Sequence, residues 1–189
     1  MKKNNGHKII LDLDKEKSKV SKLKKIGKKI VLTQGSFDMV HIGHARYFEA
    51  AKKQGDVLIV GVDDDEKIRH RKGPDRPVVP QEERLEMLTY LSSVDVIVLK
   101  KFNYPRWHLI RIIKPDVLVA TRETYSDEEL EQLKEYCGRV LVLAPMATTS
   151  TSAKIRRVQI GTARRIESTL KTKLIGAMED VLKELKDNV

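Results

Sequence analysis

The chain has 189 residues, of which 40% are hydrophobic, 34% charged and 5% aromatic, a composition that fits one compact domain with an aliphatic core and excludes wholesale disorder. The formal net charge is +10, but the excess lies at the two ends: residues 1–29 hold eleven lysines against three acids, and residues 153–189 hold nine basic residues against five acidic ones. A lysine-rich arm without interleaved aromatics is a solvated segment rather than a surface for stacking bases, so nucleic acid is disfavoured as a partner. No run reaches the length of a membrane span, and the start lacks the apolar stretch and cleavage site of a signal peptide, so a cytoplasmic location with no membrane partner is expected. Cys137 is the single cysteine, which excludes an internal disulfide and a four-cysteine metal site, and no protein-held metal set is read from the sequence.

In chain order, Val20, Leu23 and Ile26 predict a short basic helix over 15–26, stopped by Gly27. From residue 30 onward, β-branched runs alternate with segments of helical period. Strands are predicted at 30–34, 56–62, 94–99, 116–120 and 139–144, all buried because their apolar runs are continuous rather than alternating. Helices are predicted at 42–54, 81–92, 106–113 and 127–137, with Pro105 as a first-turn proline and Ser126 as an N-cap. Asp63, Asp64 and Asp65 read as a turn at a strand end, and Arg69, His70, Arg71 and Lys72 as charges on a mobile loop. Ile166, Leu170, Leu174, Met178, Val181 and Leu185 recur at three- or four-residue steps, predicting an amphipathic helix over 162–187. The expected fold is α/β: a Rossmann-like, doubly wound, five-stranded parallel sheet with helices on both faces, plus that C-terminal amphipathic helix.

In such sheets ligands bind beyond the carboxyl ends of the strands, so the segment after the first predicted buried strand carries the chemistry. It reads Gly35-Ser36-Phe37-Asp38-Met39-Val40-His41-Ile42-Gly43-His44. Gly35 permits a tight turn, and His41 and His44, three apart at a helix start, converge with backbone N–H groups on one anion site. The GxxxxGK[ST] loop and the GxGxxG fingerprint are both absent, which disfavours a P-loop kinase or an ordinary dinucleotide dehydrogenase.

This turn, with the later Ser150-Thr151-Ser152-Ala153-Lys154-Ile155, resembles the paired signatures of the cytidylyltransferase-like nucleotidyltransferase superfamily. Lys72 to Arg84 is most similar to the glycero-manno-heptose 1-phosphate adenylyltransferases, and somewhat less so to glycerol-3-phosphate cytidylyltransferases. The resemblance implies transfer of AMP or CMP from a Mg2+-bound NTP, ATP or CTP, to a small phosphorylated acceptor, with a heptose-phosphate-like sugar favoured and pyrophosphate released by in-line attack. It implies catalytic roles for His41, His44, Lys72 and Arg84, with Arg84 clamping a phosphate, and nucleotide contacts from Gly35, Ser36, Phe37, Ser150, Thr151 and Ser152. Asp38, Asp65 and Arg76 are expected at the acceptor or in support of it. The chain departs from the family pattern at Ala120-Thr121-Arg122-Glu123-Thr124-Tyr125, where relatives carry glycines, and at Pro145-Met146-Ala147-Thr148. Arg122 and Arg157 are therefore expected as extra phosphate contacts. The domain reading is a basic arm and linker helix at 1–28, a nucleotidyltransferase domain at 29–158 and a C-terminal helix at 159–189 that either forms a homodimer or covers the sheet. The alternatives are an adenylyltransferase for flavin mononucleotide or pantetheine phosphate, and a non-catalytic nucleotide- or RNA-binding regulator.

Overall fold

The computed structural model describes residues 8–10, 13–122, 124–147 and 151–187. The chain forms two compact units, 1–148 and 149–189. In the first, the elements run β1 (Ile9–Ile10), α1 (Leu13–Lys25), β2 (Ile30–Gly35), α2 (Ile42–Lys52), β3 (Val57–Asp63), α3 (Asp65–Lys72), α4 (Gln81–Thr89), β4 (Val96–Lys100), α5 (His108–Ile113), β5 (Val117–Ala120), α6 (Asp127–Leu133) and β6 (Arg139–Val142). The second holds α7 (Thr151–Asp187).

The sheet is parallel, in the order β1-β4-β3-β2-β5-β6. The chain moves outward from β2 in one direction through β3 and β4, then returns to β5 on the other side, so the switch in strand order lies between β2 and β5. Successive side chains of a strand face opposite ways, and this alternation divides the core in two. Val31, Leu58, Val60 and Ile97 pack with Phe48 of α2 and Leu88 of α4. Ile30, Leu32, Ile59 and Val98 pack with Ile110 of α5 and Leu133 of α6 on the other face.

The register is pinned by aspartates that precede three strands. Asp56 Oδ2 accepts from Lys29 N, Asp95 Oδ2 from Leu58 N and Asp116 Oδ2 from Ile30 N, at 2.7–2.8 Å. Each satisfies a backbone donor at the opening of a neighbouring strand, where the ladder has not yet begun. Deeper in the sheet, the buried Tyr47 hydroxyl donates to Val119 O at 3.0 Å and lies 2.7 Å from Thr33 Oγ1, linking α2 to both strands at the switch. Burial, only partly offset by Thr33, pushes the Tyr47 phenol up to about 12, so it remains a donor.

Several sequence expectations need correction. The sheet has six strands rather than five, because Ile9 and Ile10 pair with Ile97 and Val98. β6 is a half-exposed edge strand, not a buried one. Residues 65–72 form a helix, capped by Asp64, whose side chain accepts from Lys67 N at 2.8 Å; Lys72 therefore ends a helix instead of riding a loop. Pro105 precedes α5 rather than sitting in its first turn, and Trp107 takes the N-cap position with a left-handed φ of 58°. The last helix begins at Thr151, well before its apolar stripe, and Ile166, Leu170, Leu174 and Met178 are exposed along it.

Candidate active site

The turn after β2 is held from below. Asp38 is 4% exposed; its Oδ1 accepts from Val78 N and Val79 N, both at 2.9 Å, and its Oδ2 pairs with Arg76 at 2.6 Å. Asp38 and Arg76 thus support the turn by fastening the 76–79 segment beneath it. Phe37 has a left-handed φ of 46°, and its ring packs against Phe48 at 4.9 Å and the edge of His44 at 5.6 Å. The ring belongs to the core.

His41 and His44 form a reciprocal cap on α2. His41 Nδ1 accepts from Gly43 N at 3.1 Å, and His44 Nδ1 accepts from the His41 N–H at 3.3 Å. An imidazole that accepts at Nδ1 carries its proton on Nε2. The cap therefore fixes both tautomers as Nε2–H donors while occupying helix N–H groups that otherwise lack partners. Gly43 makes this approach possible: a Cβ there would lie 2.9 Å from His41 Cε1 and 2.6 Å from Ala147 Cβ.

Arg84 is held within the protein. It is 1% exposed, and all three guanidinium nitrogens are taken by protein: Nε donates to Val79 O at 3.0 Å, Nη1 to Ser36 O at 2.5 Å and Nη2 to Asp65 Oδ1 at 2.7 Å. A planar, permanently charged fork suits such a brace. In this structure Arg84 clamps the turn, and Asp65 is its counter-ion. Lys72 stands near Asp38 and Arg76, and partial burial, with the Arg71 and Arg76 charges, holds its amine below the ordinary lysine value against the pull of Asp38 and Asp63.

On the opposite face of the sheet a cavity of about 160 Å³ opens at the carboxyl ends of β2, β3 and β4. Asp63, 1% exposed, is its floor. Lys100 is its register partner across the ladder, with Nζ 3.0 Å from Oδ1; Arg71 Nη2 is 3.1 Å from Oδ2, and Lys67 Nζ is 4.0 Å from Oδ1. Burial alone would raise the Asp63 carboxyl, but Lys100, Arg71 and Lys67 together hold it below the ordinary aspartate value. Burial also lowers the Lys100 amine, partly countered by Asp63. Arg71 reaches the turn as well, donating to Ser36 Oγ at 2.9 Å. Tyr125 closes the other wall and accepts from Gln34 Nε2 at 3.2 Å; burial raises its phenol far above the usual value, which keeps it protonated.

Sequence reading missed Asp63, Lys67, Arg71 and Lys100 as a group. Only the Asp63–Lys67 and Lys67–Arg71 four-residue spacings were legible, and these gain meaning only once 65–72 is known to be a helix. Arg122 is exposed in the segment after β5. Ser150 lies outside the described residues. Thr151 and Ser152 open α7, and Arg157 is exposed on that helix in the second unit.

The chain thus carries a paired-histidine turn at the switch point of a parallel α/β sheet. Residues 32–169 match the family described as Cytidylyltransferase-like, and the chain belongs to that family. Among curated relatives, it is 38% identical over 144 residues to the Bifunctional protein HldE of Desulfatibacillum aliphaticivorans and 42% identical over 137 residues to that of Nitratiruptor sp.. These alignments cover 76% and 72% of this chain but only 29% of each relative. Among solved structures, the lipopolysaccharide core biosynthesis protein from Thermoplasma volcanium shares the fold with a TM-score of 0.56 and 24% identity, over 64% of this chain and 100% of that one. A pantoate-beta-alanine ligase from Francisella tularensis does so with a TM-score of 0.56 and 18% identity, over 71% of this chain and 66% of the other.

Proposed function

We propose that the protein transfers AMP or CMP from an NTP to a phosphorylated sugar or polyol and releases pyrophosphate. The observation that carries this reading is the two-histidine cap at the head of α2, which presents two Nε2–H donors at the switch point of the sheet. An ionised acceptor phosphate is already a nucleophile, so no protein base is required. One of its oxygens bonds to the α-phosphorus, the bond from that phosphorus to the bridging oxygen breaks, and pyrophosphate leaves with the electron pair. His41 and His44 hydrogen-bond the phosphate oxygens as charge shifts toward the leaving group, and Lys72 neutralises charge from the end of α3.

Mg2+ fits this site as a passenger on the triphosphate. Asp38 and Asp65 are each engaged by an arginine and Asp63 by Arg71 and Lys100, and among the described residues no group of three or more His, Cys, Asp or Glu side chains is arranged to hold a metal. Such a cation is coordinated largely by phosphate oxygens and water, and it supplies neutralisation of their charge. The similarity to the HldE proteins and the resemblance of residues 72–84 to heptose-phosphate adenylyltransferases favour ATP and a heptose-like acceptor. The small cavity beside the turn suits a sugar or polyol better than the fused rings of a flavin.

The test is pyrophosphate release with Mg2+ and ATP or CTP against a panel of sugar, polyol and vitamin phosphates. Turnover with a sugar or polyol phosphate, reduced 100- to 1,000-fold by His44→Ala, is expected from loss of one preorganised donor. Turnover with flavin mononucleotide or pantetheine phosphate alone would move the reading to those acceptors. NTP binding without turnover on any acceptor would mark a regulator.

A further inference from the structure

The cavity on the α5 and α6 face holds more positive charge than the turn requires. Among the described residues of the cavity, one carboxylate, Asp63, faces Lys100, Arg71 and Lys67 within 3.0–4.0 Å, two more positive charges than negative. Arg106, also on the rim, already pairs with Glu129. A half-enclosed site with this imbalance favours an anion, because surrounding protein weakens solvent screening. Lys100 is only 16% exposed and Lys67 27%, so these are not freely solvated surface lysines. Trp107, Tyr104 and Tyr125 supply broad, weakly polar walls opposite the cations.

The cavity is also separate from the phosphate-handling turn. Among the described residues, its lining includes neither His41 nor His44, and neither Lys72 nor Arg84. Strand alternation explains the separation: Gln34, Asp63 and Lys100 point to the face opposite α2. The two places nevertheless adjoin, because Gly35 lines the cavity and Arg71 reaches both Ser36 and Asp63. A ligand whose phosphate reacts at the histidines can therefore extend its other end past Gly35 into the cationic cavity. The cavity, about 160 Å³, is well above the space one water needs and takes the end of a sugar with a charged substituent.

We propose that the acceptor carries a second anionic group, a carboxylate or a phosphate, at the end remote from its reacting phosphate, and that Lys67, Arg71 and Lys100 select it. This rests on the nucleotidyltransferase reading for its chemistry, but not for its binding geometry. Uncharged-ended acceptors leave the excess cations unpaired; doubly anionic ones add charge-assisted hydrogen bonds to them.

The experiment compares glucose 1-phosphate, glucuronic acid 1-phosphate and glucose 1,6-bisphosphate. These differ at C6 by a hydroxymethyl group, a carboxylate and a phosphate. Binding is followed by fluorescence of Trp107, the single tryptophan of the chain, and turnover by pyrophosphate release. At least one doubly anionic ligand is expected to bind, and to react in kcat/KM, about 10- to 100-fold better than glucose 1-phosphate. Whether the carboxylate or the phosphate wins identifies the group. Lys67→Met, which removes a cation from the cavity lining, is expected to collapse that ratio toward one; Lys67→Gln serves as a second variant, with melting temperatures compared to verify folding. Equal binding of all three ligands overturns the proposal, as does a ratio that survives both substitutions. Selective, Lys67-dependent binding without turnover on any acceptor would retain this inference and reject the proposed reaction. Turnover that favours glucose 1-phosphate would do the reverse.

Discussion

The two flanks of the β2 terminus are built on opposite electrostatic plans. On the α2 side each buried charge is matched within the protein: Asp38 by Arg76 and two backbone N–H groups, Arg84 by Asp65 and two carbonyls. On the α5 side, Asp63 is outnumbered, and its Oδ1, although near Lys100, has no well-directed hydrogen bond among the described residues. A matched network fixes geometry, as a turn that must aim two histidines requires; an unmatched one stores affinity for something that is not protein. The difference separates residues that hold the site from residues available to fill it.

The largest test of this contrast is Arg84→Met. If Arg84 is a brace, losing it strands Asp65 and frees the Ser36 carbonyl, and chemical denaturation is expected to show a loss of about 3–5 kcal/mol. Intact stability with reduced NTP affinity would instead restore Arg84 as a direct phosphate clamp. Asp63→Asn should cost less, about 2 kcal/mol, since Arg71 and Lys67 reach solvent and recover hydration. The sign of its pH dependence follows from the lowered native pKa: the stabilisation is present above the unfolded aspartate value of about 4 and is lost as pH falls through the native value. Denaturation midpoints measured across acidic pH should therefore fall more steeply for the wild type than for Asp63→Asn. The smallest effect is expected at Ser126, whose hydroxyl accepts from Glu129 N while Glu129 accepts from Ser126 N. Ser126→Ala should cost about 1 kcal/mol. Because Ser126 follows Tyr125, the substitution should also alter Trp107 fluorescence if this local cap sets the cavity wall.

The legible parts of this molecule were those governed by local pattern. Continuous runs such as 56–62 marked strands because both sheet faces are covered, and the Gly35–His44 turn marked the switch point because its residue types serve phosphate chemistry. Helix α3 escaped because Asp65–Lys72 buries Ile68 alone, which leaves no apolar period to detect. Strand β1 escaped because two residues cannot display alternation. Arg84 read as a phosphate clamp on its helix and its bracing contacts were not legible, since they depend on Ser36, which lies 48 positions earlier. The Asp63–Lys100 pair was equally invisible, being created by the register of β3 against β4. Spacing along the chain carries little information about such contacts until strand order is known.

The same two-residue β1 has a consequence for how the protein keeps company with itself. Ile9 and Ile10 lie along Ile97 and Val98 of β4, and Lys8 Nζ donates to Thr89 O and Leu91 O at 3.0 and 3.2 Å. Without that short strip, β4 would end the sheet with an open row of backbone donors and acceptors, a template on which another chain can zip. The strip that replaces it is too brief to recruit a neighbour. Trimming the chain past Ile10 would leave the histidine turn and the cationic cavity untouched, yet convert a blunt margin into an adhesive one. The protein would then be lost to concentration-dependent clumping rather than to any defect in its chemistry.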